Sequence, residues 1–170
     1  MKIVLVGYMG SGKSTVGKLL ASDLNLSFLD LDTYMEQRLQ KSIPTIFNEN
    51  GEIYFRKMEH LLLKEILESK ENFILSTGGG TPCYSGNMET IMDGTADVFY
   101  LKLSIMGLVN RLTPEMAGRP LLKNLSQEEL PEFIGKHLFE RNPYYAMAKH
   151  TINCDGKAPS EIVDQIKSVI

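Results

Sequence analysis

Short apolar segments alternate along the chain with longer segments whose apolar residues recur at helical spacing. Strands that alternate with helices pair in parallel through right-handed crossovers. The pattern therefore predicts an α/β fold with a parallel sheet flanked by helices. The predicted strands are rich in β-branched and aromatic residues and span Ile3–Val6, Ser27–Asp30, Phe73–Thr77, Val98–Leu103 and Thr151–Asn153.

Polar and helix-breaking residues set the predicted ends of the helices. Asp32 is a candidate N-cap for the second helix, and Pro44 is expected to break it before a short helical turn through Phe47. Ser126 and Glu129 have the spacing of a capping box, although Pro131 allows a later helix start. The predicted helices are Lys13–Asn25, Thr33–Gln40, Glu52–Ser69, a weaker Tyr84–Asp93, Ile105–Leu112, a helix from the capping box to about Lys149, and Ser160–Ile170.

The segment Gly7–Ser14 matches G-x-x-x-x-G-K-[ST] and lies between the first predicted strand and the first predicted helix. In this context the glycines let backbone N–H groups surround a phosphate, and the helix N-terminus adds its positive dipole end. Lys13 is then expected to reach the β- and γ-phosphates, while the Ser14 hydroxyl ligates Mg²⁺. The motif predicts a nucleotide-binding loop.

Composition narrows the function classes. The 170 residues, 43% of them hydrophobic, suffice for one globular domain with a full core. A net charge of −3 without a basic stripe argues against nucleic acid as the main ligand. We find no signal peptide and no apolar run of membrane-spanning length. Two cysteines without metal-ligand spacing suit a reducing cytoplasm.

Two segments after the predicted strands have the composition of ligand-binding loops. Gly78, Gly79 and Gly80 follow the third strand, and ligands of open α/β sheets lie beyond the carboxyl ends of the strands. A flexible loop without a ligand is the alternative. The segment Thr113–Pro120 has two prolines and a glycine and neither periodicity, which is typical of a lid.

The third predicted strand ends without a carboxylate, whereas the second supplies Asp30, with Asp32 two residues later. Residues two apart on an extended segment face the same way, so both are expected to point at the predicted phosphate site. One would belong to the Mg²⁺ shell, directly or through water, and the other would accept a hydroxyl proton. Asp32 acting only as an N-cap is the structural alternative, and the two roles are compatible.

The chain has only five arginines, which makes the position of each informative. Arg38 lies on a charged helix face and is expected to be solvated. A guanidinium binds a carboxylate in a bidentate manner, so convergence of the others would indicate a carboxylate-bearing substrate. The sequence does not establish whether they converge; the four are Arg56, Arg111, Arg119 and Arg141.

Taken together, these motifs resemble those of the shikimate kinase family over nearly the whole chain. The phosphate loop alone is generic, whereas the ordered combination is specific. The other matching segments are Phe28–Asp32 (the paired aspartates), Gly51–Glu59 (G-E-x-x-F-R-x-x-E), Gly78–Gly80, Arg119–Leu122 (R-P-L-L) and Arg141–Tyr145 (R-x-P-x-Y).

The resemblance implies a P-loop kinase fold, a three-layer sandwich with a five-stranded sheet in the order 2-3-1-4-5. It also implies ATP- and Mg²⁺-dependent phosphorylation of the 3-hydroxyl of shikimate, in the pathway to aromatic amino acids. A substrate-binding segment over about 31–60 and a lid over about 112–125 would belong to the single domain. A monomer is expected, with ATP or ADP and shikimate as its ligands.

The resemblance also assigns roles residue by residue. Asp32 would bind the shikimate hydroxyls and act as the base, and Arg119 would stabilise the transferring phosphoryl group from the lid. Asp30 and Ser14 would hold Mg²⁺. The shikimate pocket would comprise Arg56 and Arg141 as the carboxylate clamp, Glu59 orienting Arg56, the backbone of Gly78, Gly79 and Gly80, and the rings of Phe47 and Phe55.

For the nucleotide, the resemblance implies contacts from the loop and from two more distant segments. Arg111 would stack on adenine, and Lys157 and Pro159 fall where the family's adenine loop lies. The lid sequence and Gly156–Lys157 depart from the family pattern, so the adenine contacts rest on fewer matches. The loop residues involved are Gly10, Ser11, Gly12, Lys13, Ser14 and Thr15.

Three other interpretations fit parts of the pattern. A gluconate-type kinase would use the same scaffold with another acceptor. A nucleotide-sensing module would bind ATP without turnover, but Arg56, Arg119 and Arg141 argue against it because a sensor needs no second carboxylate pocket. A kinase-like piece of a larger fused enzyme is the third.

Overall fold

A computed structural model describes residues 1–170 and contains one sheet of five strands. The strand order is β2-β3-β1-β4-β5, and every neighbouring pair is parallel. The α/β class and the strand order predicted above are confirmed. The strands are β1 (Lys2–Val6), β2 (Ser27–Asp30), β3 (Phe73–Ser76), β4 (Asp97–Lys102) and β5 (His150–Asn153).

Seven α-helices connect and flank the strands. Helix α1 packs against α7 and β3, and α5 packs against α6. None of these helices is both long and apolar enough to traverse a lipid bilayer. The helices are α1 (Lys13–Leu24), α2 (Leu31–Leu39), α3 (Ile43–Glu68), α4 (Asn87–Gly94), α5 (Ile105–Leu112), α6 (Leu130–Tyr145) and α7 (Pro159–Lys167).

Strand β1 lies at the centre of the sheet and forms the middle of the core. Its residues Ile3–Val6 have no exposed surface, because helices cover both faces of the sheet. In the register, Leu5 lies opposite Ser76 of β3 on one side and Phe99 of β4 on the other. This register brings the carboxyl ends of β1 and β3 side by side, so the loops that follow them meet.

The region between β2 and β3 differs from the sequence prediction. Helix α2 begins at Leu31, two residues early, because the Asp30 side chain caps it by accepting the Thr33 N–H at 3.3 Å. Asp32 is therefore not the N-cap. Pro44 does not break α2; it lies in the first turn of α3, where its missing N–H has no helical partner to lose.

The helix predicted to begin at Glu52 is the second half of α3, and the kink that separates it from the first half lies at Gly51. Its φ of +79° and ψ of 175° are far from helical values, and this φ is readily available only to glycine. The kink redirects the chain before Phe55 and Arg56. It therefore sets the angle at which the second half of α3 approaches the sheet.

Helix α5 has the predicted bounds, whereas α4, α6 and α7 are shorter than predicted. Ser126 and Glu129 do make both hydrogen bonds of a capping box, at 3.2 and 2.8 Å, but the box closes a turn. Helix α6 starts after it, with Pro131 in the first turn, and ends at Tyr145 rather than near Lys149. The predicted helix Tyr84–Asp93 becomes α4, and a separate 3₁₀ turn occupies Thr81–Cys83.

Candidate active site

The loop between β1 and α1 curls around an open space at the carboxyl end of the sheet. Gly10 and Gly12 have φ angles of +78° and +93°, and Gly12 is the N-cap residue of α1. The Ser11 N–H donates to the Tyr8 carbonyl at 3.2 Å, which closes the turn. The first turn of α1 thus opens toward this space, as a phosphate site requires.

Lys13 lies in the wall of this space with a largely buried side chain. Its ammonium donates to the carbonyl oxygens of Gly7 at 2.8 Å and Tyr8 at 2.9 Å. Burial lowers the Lys13 pKa to about 8, although Asp32 and Asp30 oppose the shift by stabilising the ammonium. An ammonium has three donors, so one remains for a phosphate oxygen.

Ser14 and Asp30 bring a hydroxyl and a carboxylate together beside Lys13. Ser14 Oγ donates to Asp30 Oδ2 at 3.0 Å, and Ser76 Oγ lies 3.4 Å from Ser14 Oγ. Hard oxygen donors of this kind suit Mg²⁺, which usually completes its shell with waters and substrate phosphates. These residues fit a magnesium ion that arrives with a nucleotide.

Asp32 also faces this space, but not for the reason that the sequence suggested. Asp32 lies in the first turn of α2 rather than on an extended segment, and the turn places its carboxylate near that of Asp30. Burial raises the Asp32 pKa to about 6, with a further contribution from the negative charges of Asp30 and Glu59. Such a carboxylate can accept a proton near neutral pH.

The three glycines after β3 lie between the phosphate loop and the arginines. A methyl group added at Gly79 would come within 3.1 Å of the Met9 nitrogen and 3.3 Å of Arg141 Nη1. The Tyr145 hydroxyl donates to the Gly79 carbonyl and fixes the run from the side of α6. The glycine run is therefore packed on both sides rather than surrounded by solvent.

Two of the five arginines converge beside Gly80. A methyl group added there would lie 3.0 Å from Arg56 Nη2 and 3.3 Å from Arg141 Nη2. Arg56 Nη1 donates to the buried carboxylate of Glu59 at 2.8 Å, as the predicted orienting role requires. The tertiary structure thus supplies the convergence that the sequence did not establish, and creates a site for a carboxylate.

Aromatic side chains form the apolar side of this arginine site. Phe47 and Phe55 pack with ring centroids 4.4 Å apart, as expected for the ring-binding wall. Tyr84 was not predicted; its ring lies 3.8 Å from the Arg56 guanidinium carbon and holds the guanidinium in place. Only proximity in space identifies Tyr84, since no spacing in the sequence connects it with Arg56.

His137 is a second residue that the sequence prediction missed. Its Nδ1 lies 2.9 Å from the Tyr8 hydroxyl, so it links α6 to the phosphate loop. Burial and the neighbouring Arg141 lower the His137 pKa, which favours the neutral ring. The four-residue spacing between His137 and Arg141 on one helix was the available signal, because such residues share a face.

Two adjoining clefts combine these residues. The phosphate cleft, about 460 Å³, is lined by Gly10, Gly12, Lys13, Ser14, Thr15, Asp30, Asp32, Arg111 and Arg119. The arginine cleft, about 580 Å³, is lined by Arg56, Arg141, Glu59, Phe47, Phe55 and His137. Five residues line both clefts: Met9, Asp32, Gly78, Gly79 and Arg119.

The residues predicted to bind adenine are only partly brought together. Arg111 crosses the phosphate loop, with Nη1 3.4 Å from the Gly10 carbonyl oxygen, and lines the phosphate cleft. Lys157 and Pro159 do not line it. The Lys157 ammonium instead donates to the Asn153 carbonyl at 2.7 Å, so their adenine contact stays a prediction.

Sequence comparison with known proteins matches this chain to the shikimate kinases. A sequence model of the family described as shikimate kinase matches residues 9–170. A shikimate kinase of Flavobacterium psychrophilum is 50% identical over 169 residues, covering 99% of this chain and 98% of the relative. A shikimate kinase of Flavobacterium johnsoniae is 46% identical with the same coverage of both chains.

Solved structures give the same result. The crystal structure of shikimate kinase from Bacteroides thetaiotaomicron superposes with a TM-score of 0.90 at 36% identity, covering 99% of this chain and 97% of that one. Shikimate kinase from Acinetobacter baumannii, in complex with shikimate, superposes with a TM-score of 0.87 at 33% identity. That match covers 99% of this chain and 91% of the relative.

Proposed function

Because the chain belongs to the shikimate kinase family, we propose that it transfers the γ-phosphoryl group of ATP to the 3-hydroxyl of shikimate. The products are ADP and shikimate 3-phosphate. One observation carries this proposal: a phosphate cleft adjoins an arginine cleft, and Asp32 and Arg119 line both. ATP in the first cleft and shikimate in the second would therefore meet beside Asp32, which can accept a proton, and Arg119, which supplies positive charge.

The phosphate cleft would hold the triphosphate. The N–H groups from Gly10 to Thr15 and the dipole of α1 are suited to the β-phosphate, with the Lys13 ammonium beside the γ-phosphate. Besides Lys13 and Arg119, the cleft contains one more cation, Arg111. We assign it to the adenine end, and family resemblance extends that end to Lys157 and Pro159.

Magnesium is proposed as the cofactor, with Ser14 and Asp30 as the residues that hold it. When bound with ATP, Mg²⁺ supplies positive charge that offsets the charge on the β- and γ-phosphate oxygens. The Ser14–Asp30 hydrogen bond of 3.0 Å keeps these two oxygens next to each other in the cleft wall, which supports this assignment. The Asp30 carboxylate contributes either directly or through a bound water.

The arginine cleft would hold shikimate. Arg56 and Arg141 are proposed to clamp its carboxylate near Gly80, where their Nη2 atoms come close together. Phe47 and Phe55 would pack against the ring, and the backbone N–H groups of the glycine run would face its hydroxyls. The 31–60 segment supplies much of this wall, which supports its assignment as the substrate-binding segment.

Phosphoryl transfer depends mainly on positioning and on charge stabilisation. Asp32, with a pKa of about 6, is largely ionised at neutral pH and would accept the proton of the 3-hydroxyl. Arg119, from the proposed lid over about 112–125, would stabilise the negative charge on the phosphoryl group in flight. Closure of the lid would exclude water and prevent hydrolysis of ATP.

We propose that the protein acts as a monomer, with the residues assigned above drawn from a single chain. Cys83 and Cys154 are free thiols, which supports the expectation of a reducing compartment. Neither feature contributes to the chemistry. The reaction itself is what an experiment must test.

The deciding experiment measures ADP release with ATP and Mg²⁺ in the presence and absence of shikimate. We expect shikimate to stimulate release strongly and gluconate to leave it unchanged. Stimulation by gluconate alone would replace the proposal with a gluconate-type kinase. Binding of ATP without turnover on any acceptor would favour the nucleotide-sensing module.

A further inference from the structure

Behind the arginine cleft, a buried carboxylate is held between two donors. Glu59 Oε2 accepts from Arg56 Nη1 at 2.8 Å, and Glu59 Oε1 accepts from the Thr81 hydroxyl at 2.6 Å. Glu59 is 1% exposed and Thr81 is fully buried. No water can replace either donor at such a depth without rearrangement, so the two bonds together fix the direction of the carboxylate.

Thr81 is itself fixed through its backbone. Its N–H donates to the Gly78 carbonyl at 3.2 Å, and its carbonyl accepts from Asn87 Nδ2 at 2.9 Å. Asn87 Oδ1 lies 2.7 Å from His60 Nδ1; because Asn87 Nδ2 donates to Thr81, this oxygen accepts and His60 Nδ1 carries the hydrogen. The hydroxyl of Thr81 therefore belongs to a rigid element.

Arg56 contacts both Glu59 and the glycine run beside the cleft. Its Nη1 donates to Glu59, and a methyl group on Gly80 would meet Nη2 at 3.0 Å and Nη1 at 3.3 Å. A rotation of the Glu59 carboxylate would turn the guanidinium and withdraw Nη2 from the cleft. The orientation of Arg56 toward a substrate carboxylate thus depends on what holds the far oxygen of Glu59.

We propose that Thr81 is a positioning residue for the acceptor carboxylate, acting through Glu59 on Arg56. The inference rests on the proposed function for the identity of that carboxylate as shikimate's. Thr81 also ends the glycine run, so one residue aligns two parts of the acceptor site. It fixes the backbone after Gly80 through Asn87, and it fixes the clamp through its hydroxyl.

The test replaces Thr81 with valine, which keeps the shape and removes the hydroxyl. Loss of a hydrogen bond to a charged group changes the equilibrium constant that depends on it by about tenfold or more. We therefore expect the shikimate KM of Thr81→Val to rise about tenfold or more, with the ATP KM and kcat changing less than about threefold. Thr81→Ser, which keeps the hydroxyl, should restore a KM near that of the unmodified enzyme.

A second readout separates positioning from general damage to the fold. The carboxamide analogue of shikimate has no charge for the Arg56 fork to bind. The preference in kcat/KM for shikimate over this analogue should fall about tenfold in Thr81→Val. A purely structural role would lower both values equally and leave the preference unchanged.

Thr95→Val is the matched control, because the Thr95 hydroxyl donates to the Lys2 carbonyl on the other side of the molecule. It should alter stability without altering the shikimate KM. If Thr81→Val does not fold, Thr81→Ala and Thr81→Ser differ by one hydroxyl and provide the same comparison. Unchanged KM and unchanged preference in an active Thr81 variant overturn the inference, whereas an inactive unmodified enzyme overturns the proposed function.

Discussion

Arg119 and Glu115 form an ion pair one helical turn apart, in which Arg119 Nε donates to Glu115 Oε2 at 2.9 Å. Both side chains are partly exposed, at 34% and 54%. Exposed pairs of this kind contribute at most about 1 kcal/mol, so they are released easily. Glu115 therefore holds Arg119 at the edge of the phosphate cleft without preventing its transfer to a more highly charged phosphoryl group.

Replacement of Arg119 by alanine should lower kcat far more than it weakens shikimate binding. A cation that acts only on the transferring group stabilises the transition state, and its removal costs on the order of a thousandfold or more in rate. Steady-state kcat and the shikimate Kd are the measurements. Arg38→Ala is the control, since Arg38 pairs with Glu65 at an exposed position; equal losses in kcat and affinity would contradict the lid role.

Removal of either clamp arginine should weaken shikimate binding with little effect on ATP. Each guanidinium makes charge-assisted bonds to the carboxylate, so Arg56→Ala or Arg141→Ala should raise the shikimate Kd about tenfold to a hundredfold. Calorimetric titration with shikimate and with an ATP analogue separates the two effects. An unchanged shikimate Kd would remove that arginine from the clamp.

Asp30→Asn should raise the Mg²⁺ concentration needed for half-maximal activity. The substitution removes a charged oxygen from the proposed shell, and such losses typically reduce metal affinity about 10- to 100-fold. Asparagine can still cap α2 by accepting the Thr33 N–H, so folding should be preserved.

The measurement for Asp30 is turnover against Mg²⁺ concentration, together with shikimate binding in the presence of a chelator. Chelation should abolish turnover while binding of shikimate persists, because the arginine cleft contains no proposed metal ligand. A magnesium dependence identical to that of the unmodified enzyme would place the metal elsewhere.

Replacement by alanine should change Tm in opposite directions at two helical glycines, Gly135 and Gly17. A methyl group at Gly135 of α6 would meet only Ile105 Cδ1 at 3.5 Å, an ordinary contact. The gain in helix propensity is up to about 1 kcal/mol, so Gly135→Ala should raise Tm by about 2–4 °C.

At Gly17 of α1 the same methyl group would lie 2.5 Å from Phe28 Cε2. Overpacking costs about 1–3 kcal/mol and outweighs the propensity gain, so Gly17→Ala should lower Tm. Thermal unfolding of both variants in one buffer tests the pair. A rise in Tm for Gly17→Ala would mean that the Phe28 ring moves aside at little cost.

Residues of the phosphate loop could be recognised from the sequence because their chemistry is local. One continuous turn supplies the N–H groups, Lys13 and Ser14, so spacing alone predicts the cradle. The helix starts were predicted less well. Asp30 and Asp32 are both suitable caps by type, and only the extended backbone of Asp30, directly before the helix, makes it the cap.

The arginine cleft could not be predicted from spacing in the sequence. Arg56 and Arg141 are distant in sequence, and Tyr84 and Thr81 follow a glycine run that gives no indication of what they contact. Their identification depends on the register between β1 and β3 and on the kink at Gly51, which bring the middle of α3 and the end of α6 to the same place.

By itself, the sequence determined the fold class, the nucleotide loop and, through family resemblance, the proposed acceptor residues. Only the tertiary structure decided that Arg56 and Arg141 converge, that Asp32 and Arg119 border both clefts, and that Thr81 supports Glu59. The physical reason is the range of the interactions. Backbone turns and helical periodicity depend on neighbouring residues, whereas charge convergence and buried hydrogen bonds depend on distant segments that meet only after the sheet has formed.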